Sequence, residues 1–131
     1  MTRNKLIILS GGFDPVHRGH IRMFHKAKSF VGDGLVIVIL NSDEWLKRKK
    51  GKPFMDWNER RVIISSMKGV DCVCSVDDED GSVCKGIEEI YDRYVEDFDL
   101  YFGNGGDRKP GNVPEVELCN NLGIDLKWNR S

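Results

Sequence analysis

The sequence predicts an α/β fold: a doubly wound, five-stranded parallel sheet with helices on both faces. Three observations predict it. Short β-branched runs take turns with segments whose apolar residues recur at three- and four-residue spacing. The run Leu35–Leu40 is apolar at every position, which marks a strand covered on both faces. Glycine- or aspartate-rich turns punctuate the segments, as expected for strand–helix–strand units. The 131 residues suit a single domain spanning 1–131.

In order, residues 5–9 form a first apolar run, closed by Gly11-Gly12. Ile21, Met23, Phe24, Ala27, Phe30 and Val31 mark a helix over 20–31, stopped by Gly32-Asp33-Gly34. The second strand is 35–40. A basic, polar stretch, 47–53, then reads as loop. Asp56 with Glu59 three residues on resembles a capping box, and a helix through Val62, Ile63 and Met67 follows to Gly69. Residues 70–76 are the third strand and 77–80 an acidic, solvent-facing turn. Val83, Ile87, Ile90 and Tyr94 share one helix face, and 98–102 is the fourth strand. Pro114 suits a first helical turn and Gly123 its end. Ile124, Leu126 and Trp128 alternate with polar residues as a fifth strand. No repeat, linker or low-complexity segment interrupts this order.

Composition excludes several classes. Twenty basic against 21 acidic residues provide no bulk field for nucleic acid or an anionic membrane. The longest apolar run is strand-sized, so no membrane span is expected, and the N-terminus does not read as a signal peptide. Cys72, Cys74, Cys84 and Cys119 include no Cys-x-x-Cys pair, so they read as buried, reduced thiols in a cytoplasmic protein rather than as zinc ligands.

Doubly wound sheets bind ligands beyond the carboxyl ends of their strands, which selects the loops 10–19, 41–56 and 103–112. The first reads Gly11-Gly12-Phe13-Asp14-Pro15-Val16-His17-Arg18-Gly19-His20. Gly11, Gly12 and Gly19 permit close backbone approach to a ligand, and the helix that follows offers N–H groups and positive potential to a phosphate. His17 and His20, three apart, can face one bound group and donate to its oxygens as charge builds there. The basic cluster Lys47–Lys52 stands at the same end of the sheet. Gly103–Lys109, glycines followed by charge, suits a loop that contacts base or ribose.

The first loop resembles the His-x-Gly-His signature of the nucleotidyltransferases related to class I aminoacyl-tRNA synthetases. The string as a whole is similar to the opening of their small cytidylyltransferase-like members. Asn41-Ser42-Asp43, the Lys47–Lys52 cluster, Glu59-Arg60-Arg61, Val70-Asp71 and Gly105-Gly106-Asp107 continue the resemblance in the expected order. It extends to glycerol-3-phosphate cytidylyltransferase and to heptose-phosphate adenylyltransferase domains, and implies a Rossmann-like fold.

The resemblance implies transfer of CMP from CTP, with Mg2+, to a small phosphorylated alcohol or sugar, releasing pyrophosphate. The alternatives are ATP as donor to a sugar phosphate or cofactor precursor, and a nucleotide-binding module without catalysis. It implies catalytic roles for His17, His20, Lys49 or Lys50, and Arg60, the last as a phosphate grip. Nucleotide contacts fall to Gly11, Gly12, Phe13, Asp14, Gly19, Gly105, Gly106 and Asp107, and acceptor contacts to Asn41 and Asp43. Trp45 and Trp57 are given no role. A homodimer is expected. Relatives carry a Ser/Thr-rich phosphate-binding segment after the fifth strand. The sequence stops at Ser131, where that segment would begin, so it is expected to be truncated or absent.

Overall fold

The computed structural model describes residues 3–103 and 113–127. Strands β1 (Asn4–Gly11), β2 (Leu35–Leu40), β3 (Cys72–Cys74), β4 (Phe98–Gly103) and β5 (Asp125–Lys127) form one sheet. Their order is β3-β2-β1-β4-β5 and every neighbouring pair is parallel. Helices α1 (Arg18–Val31), α2 (Asp43–Lys50), α3 (Trp57–Ser65), α4 (Cys84–Tyr94) and α5 (Val113–Leu122) connect the strands. The chain winds outward from β1 in both directions, so β1 and β4 flank the point where strand order reverses. The carboxyl ends of these two strands open the crevice in which such sheets bind ligands.

The pleat explains why β1 and β2 are apolar throughout. Leu6, Ile8, Ile37 and Ile39 point to one face, under Val83, Ile87 and Ile90 of the α4 segment and Cys119 of α5. Ile7, Leu9, Val36, Val38 and Leu40 point to the other, under Phe24, Ala27 and Val31 of α1 and Ile64 of α3. Both faces being covered, alternation disappears and a continuous run replaces it.

Several boundaries differ from the sequence expectations. The basic stretch expected to be loop is largely α2. Ser42 caps it by accepting from Trp45 N at 3.0 Å, with Asp43 and Glu44 in the first turn and Lys47, Arg48, Lys49 and Lys50 in the last. That order of charge suits the helix dipole. β3 is three residues long, not seven, because only 72–74 pair with β2 at the sheet edge. Cys72 is exposed and Cys74 and Cys84 half-buried; only Cys119 is the buried thiol expected. All four are free, and burial pushes Cys119 up to about 12 and Cys74 up to about 11. The acidic turn is not wholly solvated, since Asp78 is 3% exposed. Trp128 and the C-terminal residues expected to begin the Ser/Thr-rich segment lie outside the described residues.

Gly34 sets the entry to β2. A Cβ there would stand 1.8 Å from the carbonyl oxygen of Lys5, a backbone atom that cannot yield without moving β1. Gly34→Ala is therefore expected to destabilise the fold by roughly 3 kcal/mol or more. Urea denaturation against the wild type checks this, and an unchanged midpoint would contradict it.

Candidate active site

The β1–α1 loop is built around an aromatic and two imidazoles. Phe13 takes φ 52, a left-handed conformation that costs a non-glycine residue roughly 1–2 kcal/mol. Burial holds it there: its ring packs 5.6 Å from Phe24 and edge-on to His20 at 4.8 Å. The Phe13 ring therefore shapes the loop from beneath. Gly11 lies under this ring, where a Cβ would stand 3.2 Å from it; at Gly12 a Cβ would meet the buried Leu46 at 2.8 Å.

His17 and His20 cap α1 reciprocally. Gly19 N donates to His17 Nδ1 and His17 N donates to His20 Nδ1, both at 3.1 Å. The rings stack with centroids 3.8 Å apart. An Nδ1 that accepts an N–H carries no hydrogen, so the neutral rings keep theirs on Nε2. The backbone thus sets both tautomers as Nε2–H donors. Gly19 is required by the stack itself, because a Cβ would stand 2.9 Å from His17 Cε1. The first turn of α1 contains no acidic residue, so the positive pole of the helix is not offset locally.

Within this loop, the Asp14 carboxylate is 1% exposed and ion-paired to Lys50 Nζ at 2.8 Å. It also accepts from Phe54 N at 2.7 Å and Met55 N at 2.9 Å. Burial raises its pKa, but the Lys50 hydrogen bond and the two amides outweigh that, and the net value is lowered. Asp14 thereby fastens the 51–56 segment to the histidine loop. Lys50 also donates to the Asp14 carbonyl at 2.6 Å, and Lys49 lies over the Trp45 ring at 4.7 Å. Trp57 is a packing residue, its indole donating to Leu40 O at 3.2 Å.

Arg60 is a correction. The phosphate grip expected is instead 0% exposed and bonded to protein. Its Nη1 donates to Gly12 O and Asn41 O, each at 2.9 Å; Nε donates to Met55 O at 3.1 Å and Nη2 to Asp43 at 2.6 Å. Asn41, expected to hold the acceptor, is likewise buried, whereas Asp43, expected to do the same, is half-buried. Asp43 is the partner of Arg60, and Asn41 Nδ2 donates to Asp78 at 2.9 Å. Asp78 also accepts from Ser42 N and Oγ, and its carbonyl accepts from Arg48. Nothing in the acidic run 77–80 distinguishes Asp78 from its neighbours, so its role was not legible. Gly105, Gly106 and Asp107 lie outside the described residues. His17, His20 and Asp14 share one loop, to which Lys50 is joined through Asp14; Arg60 ties Gly12 of that loop to Asn41, Asp43 and Met55.

These features define a parallel α/β domain with paired imidazole donors at a helix start near its strand-order reversal. Residues 8–110 match the family described as Cytidylyltransferase-like, and the chain belongs to that family. The chain is 38% identical over 75 residues to the FAD synthase of Korarchaeum cryptofilum, covering 56% of this chain and 51% of that protein. It is 35% identical over 86 residues to the FAD synthase of Ferroglobus placidus, covering 66% and 53%. It is 32% identical over 125 residues to the bifunctional protein HldE of Geotalea uraniireducens, covering 93% of this chain and 23% of that protein. The matched region thus spans about half of those FAD synthases and under a quarter of that HldE. Among solved structures, a lipopolysaccharide core biosynthesis protein from Thermoplasma volcanium shares the fold, with a TM-score of 0.65 and 22% identity. That match covers 95% of this chain and 93% of the other.

Two predictions follow from the supports. Arg60→Met strands four acceptors and is expected to cost about 3–5 kcal/mol, read from urea denaturation. Asp14, its pKa lowered on folding, contributes stability that is present above the ordinary carboxylate pKa and is lost as pH falls through the folded value. Asp14→Asn should therefore be less stable than the wild type at neutral pH, with the gap closing in acid. A gap constant across a pH series of thermal melts would contradict this.

Proposed function

We propose that this chain is a nucleotidyltransferase that moves AMP from ATP onto the phosphate of a small acceptor. The observation that carries this reading is the pair of backbone-capped imidazoles, both set as Nε2–H donors where a helix start faces the strand-order reversal. An acceptor phosphate oxygen attacks the α-phosphorus. The new phosphoanhydride bond forms as the bond from the α-phosphorus to the β-bridging oxygen breaks, and pyrophosphate leaves. Negative charge on the α-phosphate oxygens rises in between, where His17 and His20 donate hydrogen bonds. The positive start of α1 lowers the potential energy of the same charge. The lysines of 47–52 are proposed as contacts for the flanking phosphates, with Lys50 shared between Asp14 and ligand. Gly105, Gly106 and Asp107 are proposed as contacts for base or ribose.

Similarity to two FAD synthases supports ATP, since FAD contains an adenylyl group. The second reading, CTP as donor, draws on the family description and on the sequence resemblance of Asn41-Ser42-Asp43 to glycerol-3-phosphate cytidylyltransferase. Bound Mg2+ would neutralise charge on the triphosphate and on the leaving pyrophosphate. Among the described residues no group of three or more His, Cys, Asp or Glu is placed to hold a metal. No helix among them is long and apolar enough to cross a membrane, and a cytoplasmic site of action is part of the proposal.

Pyrophosphate release with ATP and with CTP, over a panel of alcohol, sugar and cofactor-precursor phosphates, separates the readings. Release with ATP supports the first, release with CTP alone overturns it, and binding without release favours a non-catalytic module. His17→Ala or His20→Ala is expected to lower kcat roughly 10²–10³-fold with much less change in nucleotide affinity. Equal losses of both would make the imidazoles ground-state binding or structural groups.

A further inference from the structure

We infer that Phe54 is the recognition platform for the acceptor, and that the acceptor is a phosphate ester carrying a flat heteroaromatic ring. This rests on the nucleotidyl-transfer reading and deepens it. Phe54 is 78% exposed, the most exposed large apolar side chain among the described residues. A single exposed apolar residue is ordinary; its anchoring here is not. Its own N–H donates to the almost fully buried Asp14 carboxylate at 2.7 Å, and the next N–H, from Met55, donates at 2.9 Å. The backbone beneath the ring is thus tied to the loop that carries His17. Lys50, the partner of Asp14, sits 4.6 Å from the ring centroid.

The result is a solvent-exposed aromatic ring tied to the histidine loop, with the Lys50 ammonium over one face and the other face left for a ligand. A rigid aromatic loses little conformational entropy when a ligand lies on it, because its backbone is already ordered. The chemistry such a surface selects is a planar conjugated ring, by stacking, joined to a phosphate, by charge. A sugar phosphate satisfies the charge but offers no π-face. Lys52, also exposed, extends the positive surface along the same segment.

The test is calorimetric titration of the full chain with flavin mononucleotide, glucose 1-phosphate and ATP, comparing the wild type with Phe54→Ala and Phe54→Trp. Flavin mononucleotide is expected to bind the wild type. Phe54→Ala should weaken it roughly 5- to 150-fold, the range for one ring stacked on an aromatic. Phe54→Trp should restore it, while ATP affinity stays the same. No flavin binding by the wild type, equal flavin affinity in Phe54→Ala, parallel loss of ATP, or preference for glucose 1-phosphate would each overturn the inference. So would a Phe54→Ala change in sedimentation without a change in flavin affinity, which would assign the ring to contact with a second copy. The two readings fail separately. Pyrophosphate release from ATP with Phe54-independent flavin binding keeps adenylyl transfer and overturns the platform. Phe54-dependent flavin binding without pyrophosphate release does the reverse.

Discussion

The buried guanidinium of Arg60 is the interaction on which the site depends. Its partners come from four places: Gly12 beyond β1, Asn41 beyond β2, Asp43 at the start of α2, and Met55 ahead of α3. A fully buried cation is tolerated only where protein acceptors replace its water. The four groups must therefore converge for the fold to form at all. Once they do, the carboxyl ends of β1 and β2 are held together, and Gly12 at the start of the histidine loop is anchored. Lysine, a point charge on a flexible stem, could not reach the same acceptors from one planar fork.

Around this hub the acidic residues are turned inward. Asp14, Asp43 and Asp78 each meet protein donors, so their charge is offset before an anionic ligand arrives. This reconciles an overall charge of -1 with the proposed phosphate chemistry. The local field comes from the start of α1, from imidazole N–H groups and from the end of α2. The same carboxylates couple the loops. Asp14 joins the histidine segment to 51–56, and Asp78 joins the end of β2 to the turn before α4.

Much of the architecture was legible because it rests on local pattern. A continuous β-branched run such as Leu35–Leu40 has one economical home, a strand covered on both faces. The Asp56 cap and the Gly123 turn were read from single residues with local backbone consequences. α2 was not legible, because its composition is that of a solvated loop and its apolar contribution to the core is Leu46 alone. β3 was overextended, because apolar alternation through 70–76 does not reveal where a partner strand ends.

For the site, the sequence alone made the β1–α1 loop and its histidines legible, because glycines, imidazoles and a helix start lie within ten consecutive residues. It also determined the parallel α/β order, which follows from the periodicity of each segment. Which charged residues stay exposed and which are buried to hold the fold depends instead on contacts between distant segments. Arg60 and Asp78 carry the same formal charges as exposed residues nearby. What separates them is desolvation, and desolvation is set by which distant segments meet around a side chain, not by its neighbours along the chain.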